Sequence, residues 1–168
     1  MYGRFPLVGM VYCGRKFFIF GDVMNIWDER MQKREKQVQK VRLSRVSFMN
    51  DSKWTRLFQA VQNSDIAVHG GCMKVLMSEY ISPFNLKTDG LYWVRGYTDD
   101  TWGGPCSYKE IEWISVPAVN EIERYNRGEK LIPTRQTNDI HALKVLIDSL
   151  GEFEYDLNET GLKIYGYK

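Results

Sequence analysis

The side chains with most chemical potential in this chain are crowded into one stretch, Thr98 to Trp113 (TDDTWGGPCSYKEIEW). It carries adjacent carboxylates at Asp99 and Asp100, an indole at Trp102, a thiol at Cys106 and two more carboxylates at Glu110 and Glu112. Carboxylates that converge can run acid–base hydrolysis or hold a hard metal ion. Adjacent acids on an extended chain diverge, however, and Glu110 and Glu112 would have to meet them on one strand face. Asp99-Asp100 and Gly103-Gly104-Pro105 are also turn formers, supplying side-chain caps and positive φ, so the tip between two strands accounts for much of the stretch. On these grounds the sequence assigns no catalytic residue, and a hydrolase built on clustered carboxylates stands as the rival reading.

The remaining chemistry is sparse. His69-Gly-Gly-Cys72 together with Cys106 offers three potential zinc ligands, where a structural site takes four with closely paired spacings. No metal and no cofactor are expected. A nucleophilic thiol at Cys72 or Cys106, paired with His69 or His141, has no surrounding motif that would stabilise a thiolate. Phosphate-binding glycine loops, a nucleophile elbow and a His-Glu-x-x-His zinc motif are all absent from the sequence.

Trp102 suits binding better than catalysis. A large aromatic on a polar tip either folds back as a lid on Tyr97 or Tyr108 or waits for a partner, and Trp and Tyr dominate interface hot spots. The expected binding residues are therefore Tyr97, Asp99, Asp100, Trp102, Tyr108 and Glu110, with the acids steering a basic protein partner, such as a toxin met by an immunity protein.

Charge divides the chain unevenly. Residues 1–48 hold 10 Lys and Arg against 4 Asp and Glu, and the other 120 hold 13 against 17, so a net of +6 is followed by a net of −4. The basic part reads as an N-terminal extension, solvated or disordered, with nucleic-acid contact as a further alternative that a charge run alone does not establish. It opens as LVGMVY and FFIF around CGRK, a hairpin pattern, and continues as a helix-permissive run whose Gln32–Gln37 stretch contains no apolar residue. Met49-Asn50-Asp51-Ser52 reads as a fresh start, and residues 49–168 as a single domain. The apolar run from Met10 to Ile26 is broken by Arg15, Lys16 and Asp22, so neither a membrane span nor a signal peptide is expected and the expected location is the cytoplasm. Three widely spaced cysteines read as free thiols.

The elements that must hold the stretch in place begin at Asp51. Trp54, Leu57, Phe58 and Val61 repeat at helical spacing behind a cap at Asp51 or Ser52. Leu91–Thr98 and Glu110–Val116 are aromatic and β-branched and read as the arms of a hairpin around the Asp-rich tip. Residues 117–135 read as a connector. Asn138 caps a second helix with Ile140, Leu143, Ile147 and Leu150 on one face and Gly151 as its stop. Phe153, Tyr155 and Leu157, then Leu162 and Ile164, alternate around an NETG turn as a closing hairpin. This order lacks regular βαβ alternation, so the expected class is α+β: an antiparallel sheet with two main helices on one face, plus the basic extension.

The quoted residues also resemble a bacterial family of small proteins defined only as a domain of unknown function. The matching motifs are Lys53-Trp54-x-x-Leu57-Phe58, Tyr80-Ile81-Ser82-Pro83, Tyr108-Lys109-x-Ile111-Glu112-Trp113 and Ile164-Tyr165-Gly166-Tyr167, covering about residues 49–168. The resemblance implies a compact α+β domain and carries no catalytic residues over to this chain.

Overall fold

A computed structural model describes residues 10–13, 16–87, 96–100 and 104–168, with side chains described from residue 32 onward except at 99–100 and 104–105. The chain divides into two compact units, Met1–Val41 and Arg42–Lys168. In chain order the elements are β1 (Met10–Cys13), β2 (Lys16–Ile19), α1 (Phe20–Leu43), α2 (Asp51–Gln62), β3 (Cys72–Val75), β4 (Ile81–Pro83), β5 (Tyr97–Asp100) and β6 (Gly104–Ser107). They continue with a 3-10 turn at Tyr108–Glu110, then β7 (Ile111–Pro117), β8 (Val119–Asn126), β9 (Glu129–Thr137), α3 (Ile140–Leu150), β10 (Tyr155–Asn158) and β11 (Gly161–Tyr165). The class is α+β.

Within the first unit β1 and β2 pair antiparallel, as the apolar runs flanking CGRK require. The helix α1 follows, and its side chains from Gln32 to Gln37 are all exposed, in keeping with a stretch that has no apolar stripe to bury.

The second unit is built on a five-stranded antiparallel sheet in the order β10-β11-β7-β3-β4. Its centre is β7, where Ile111, Ile114 and Val116 are fully buried. Trp54, Leu57, Phe58 and Val61 of α2 lie in the same core, as do Leu143 and Ile147 of α3 and Leu162 and Ile164 of β11. Both helical stripes are therefore used as their spacing requires. The caps sit one residue away from their expected places. Asn50, not Asp51 or Ser52, caps α2 by accepting a 2.8 Å hydrogen bond from the Lys53 amide, and Asp139, not Asn138, caps α3 by accepting from Ala142. Gly151 ends α3 at φ 124°, a conformation that suits glycine.

Asn138 is released from capping for another task. Buried beside the sheet, its Oδ1 accepts from the His69 amide at 2.5 Å, while Nδ2 donates to the carbonyls of His69 (3.0 Å) and Pro117 (2.7 Å). One side chain so satisfies three backbone groups where the chain leaves β7 and approaches β3.

Two expectations about strands are corrected. The segment Ile111–Pro117 does not close a hairpin around the Asp-rich tip; it pairs with β11 and β3. The tip closes on itself, with Tyr97 opposite Ser107, Thr98 opposite Cys106, Asp99 opposite Pro105 and Asp100 opposite Gly104. The 3-10 turn at Tyr108–Glu110 separates this small hairpin from the sheet, so β7 starts afresh with its own register. Residues 91–95, the other expected arm, lie outside the described residues. Residues 119–137 form a β-hairpin, not a connector, closed by Arg127 and Gly128 at φ 49° and 89°. Two consecutive positive φ angles are what a two-residue turn needs to match the twist of its strands.

The compact unit also starts before Met49. Ser47 and Tyr167 form an antiparallel bridge, in which Val46 and Lys168 exchange backbone hydrogen bonds (3.1 and 3.2 Å) and the Phe48 amide donates to Gly166 (3.0 Å).

Candidate binding site

The expected binding residues fall into three environments. Tyr97 is exposed at the start of β5, and Asp99 and Asp100 occupy the same strand, with their side chains outside the description. Trp102 lies outside the described residues. Tyr108 is buried, its ring packed edge-on against Phe58 at 5.2 Å between centroids, and Glu110 is half-buried with its carbonyl accepting from the Leu76 amide at 2.7 Å. The hairpin is thus anchored by Tyr108 in the core and presents Tyr97 to solvent.

Of the carboxylates that the rival hydrolase reading requires, Glu112 is engaged elsewhere. Glu112 holds two cations, Arg45 at 2.7 Å and Lys74 at 3.2 Å, with only 13% of its side chain exposed. A carboxylate so paired serves as a structural counter-ion. Among the described residues no three His, Cys, Asp or Glu side chains gather to hold a metal ion. The Cys106 thiol is buried and donates to its neighbour's carbonyl at 3.4 Å. Burial pushes the Cys72 thiol up, against the pull of the Lys163 ammonium. A raised thiol is mostly protonated at neutral pH, and the thiolate is the nucleophile. Alkylation of folded protein, mapped site by site by mass spectrometry, should therefore find Cys72 reacting more slowly at pH 7 than an unstructured thiol. Its rate should keep rising at alkaline pH after the free thiol has levelled off. A fast, pH-flat reaction at Cys72 would instead restore a thiolate chemistry.

Two features remain that offer a surface to a partner or ligand. The first is a pocket of about 410 Å³ at the start of α2, lined by Arg42, Met49, Asp51, Tyr108, Lys109 and Tyr167 among others. Arg42 Nε donates to the Tyr167 hydroxyl at 2.8 Å, which in turn donates to the Lys109 carbonyl at 2.9 Å, so the base of the pocket is tied across from residue 42 to the C-terminal end. Asp51 Oδ1 is buried and accepts no hydrogen bond. Burial, and secondarily the Asp51 charge, push the Tyr108 hydroxyl above its ordinary range, keeping it a neutral donor. Sequence reasoning identified Tyr108 for its aromatic ring and passed over Arg42, Asp51 and Tyr167, which no local spacing connects.

The second feature is the β8–β9 ribbon, which forms a two-stranded sheet of its own. It exposes Val119, Ile122, Tyr125 and Ile132, the last at 87%. Its rungs are salted by Glu121–Arg135 at 2.8 Å and by Glu123–Lys130, with Tyr125 donating to Glu123 at 2.6 Å. The register shifts between Ile122 and Arg124, opposite the segment of β9 that contains Ile132 and Pro133. Proline has no N–H for a ladder, and an irregular register is where a strand tolerates it.

Among the described residues no helix is long and apolar enough to cross a membrane. No curated protein and no solved structure matches the chain. The family comparison takes in the whole of the Arg42–Lys168 unit and the last part of α1, so it begins ahead of Met49, where the span expected from the sequence begins. On that match, over residues 35–168, the chain belongs to a family of unknown function, DUF6678.

Proposed function

We propose that the chain is a non-enzymatic protein-binding module and that the β8–β9 ribbon is its principal contact. The observation that carries this reading is the ribbon's exposed apolar set, Ile132 above all, on a hairpin that pairs with no other strand among the described residues. Exposed apolar side chains on a ribbon with unpaired edges favour association, either by strand addition or by seating an aliphatic anchor in a partner's pocket. The partner is a basic protein, as in an immunity protein's capture of a toxin. Asp99 and Asp100 support that class, as does the excess of 17 Asp and Glu over 15 Lys and Arg across residues 42–168.

A photo-crosslinking phenylalanine analogue placed at residue 132 tests this in the native cell. It should trap one discrete basic protein, with Ile122→Ser lowering the yield several-fold and Asp100→Asn slowing capture most at low salt. The same probe at Lys144, on α3, serves as the control. Adducts at 132 that are no more abundant than at 144, or that ignore Ile122→Ser, would dispose of the ribbon as an interface.

A further inference from the structure

We infer that the partner engages the ribbon by adding a strand along the outer edge of β8, and that this strand carries Lys or Arg at alternate positions, facing Glu121 and Glu123. The inference rests on the ribbon reading above and names the contact which that reading leaves open.

The ladder decides the edge. A two-residue turn at Arg127-Gly128 makes Asn126 and Glu129 the hydrogen-bonded pair that closes the hairpin, and at the other end the Asn138 amide donates to the Ala118 carbonyl at 2.9 Å. Even-numbered residues of β8 therefore turn their backbone groups toward β9, and Glu121, Glu123 and Tyr125 turn theirs outward. No other strand takes these groups up among the described residues, and Glu121 to Asn126 are all exposed. The β9 edge is a poorer template. At the bulge two residues of β9, Ile132 and Pro133, face the single Glu123 of β8, and Pro133 has no N–H to offer.

Side chains then set the chemistry of the incoming strand. They alternate along β8, so Glu121, Glu123 and Tyr125 share one face while Ile122 and Arg124 share the other. Inside the hairpin the two carboxylates already take Arg135 and Lys130. A carboxylate has oxygens enough for a second cation, as Glu112 shows by holding both Arg45 and Lys74. Hydrogen bonds from Lys130 and from Tyr125 hold the Glu123 carboxyl below its usual range, so it is ionised at neutral pH. The same row rejects a second copy of this chain. In the two-fold register that sets Ile122 against its own counterpart, Val119 meets Tyr125 but Glu121 meets Glu123 twice, and like charges directly opposite destabilise a strand pair.

The test is sedimentation velocity of the full chain mixed with a copy whose rungs are inverted by Glu121→Lys, Glu123→Lys, Lys130→Glu and Arg135→Glu. The inverted copy keeps opposite charges across its own hairpin and presents β8 as a basic strand. The mixture should associate about tenfold more tightly than either copy with itself, with the difference shrinking at high salt. In the wild-type chain Tyr125→Pro, which removes an outward N–H, should weaken the mixed pair about fivefold beyond Tyr125→Ala. Should the inverted copy not fold, a labelled peptide of the β8 sequence with the same two lysines replaces it, against the native-sequence peptide, with fluorescence anisotropy as the readout. No association beyond that of the like-charged controls overturns the proposal, and so does an equal loss in Tyr125→Pro and Tyr125→Ala. Either result strikes strand addition at β8 while cross-linking at residue 132 still reports on the ribbon. Missing adducts at 132 would strike the ribbon reading, and this proposal with it.

Discussion

Replacing Phe58 by alanine is expected to cost about 3–5 kcal/mol of unfolding free energy, close to the whole stability of many domains of this size. The ring is fully buried and meets three others: it stacks on Trp54 at 5.5 Å, packs edge-on to Tyr108 at 5.2 Å and lies tilted against Phe84 at 6.2 Å. Truncation removes the transfer energy of the ring, leaves a cavity the neighbours fill only in part, and forfeits the aromatic pairings. Tyr108 also roots the 3-10 turn that carries Lys109 to the pocket, so the pocket should loosen together with the core. Urea unfolding followed by tryptophan fluorescence measures the effect. Phe58→Leu, which restores most of the apolar volume but none of the edge contact, should lose only about 1–2 kcal/mol. A loss below about 1 kcal/mol in Phe58→Ala would mean that this ring is not the hub between α2 and the turn.

A chain cut to begin at Met49 is expected to fold and to be weaker than one beginning at Arg42 by about 3 kcal/mol. The core stripes all lie beyond the cut, and Met49 itself is buried in them. What disappears is the pairing of residues 46–48 with the C-terminal end, the two-way exchange between Val46 and Lys168 and the Phe48 bond to Gly166, together with the Arg42 hydrogen bond to the Tyr167 hydroxyl. Arg45 is lost from Glu112 as well, leaving that carboxylate with Lys74 alone. Each backbone hydrogen bond contributes about 1 kcal/mol net, and a half-exposed ion pair adds less. Denaturant midpoints of the two truncations give the difference, and hydrogen exchange localises it, since the Lys168 amide should lose its protection. Equal midpoints would show that residues 42–48 contribute nothing. Failure of the shorter chain to fold would show that the unit starting near Trp54 cannot stand without them.

The parts of this protein legible from sequence are those whose burial pattern repeats over a few residues. Trp54, Leu57, Phe58 and Val61 on α2, Ile140, Leu143 and Ile147 on α3, and the alternation of β11 each write their buried face into local spacing, because one side of the element meets the core and the other meets water, whereas Leu157 of β10 is exposed. That was sufficient for the α+β class and for the closing hairpin. It failed for the β8–β9 ribbon, whose two faces both meet water, so that no alternation distinguishes it from a connector; its turn at Arg127-Gly128 was the surviving local signal. The caps went astray by one residue because Asn50 and Asp51, like Asn138 and Asp139, are equally able acceptors, and only backbone geometry chooses between them.

The pocket was beyond any local reading. Arg42, Asp51, Lys109 and Tyr167 come from segments up to 125 residues apart and meet through the bridge between Ser47 and Tyr167 and the Phe58–Tyr108 contact. By itself the sequence determined which faces had to be buried, since hydrophobic periodicity is a property of neighbours along the chain. Which polar groups then confront one another was decided by tertiary structure alone, because a charge makes no periodic demand on its neighbours and takes whatever partner the packed core brings within reach.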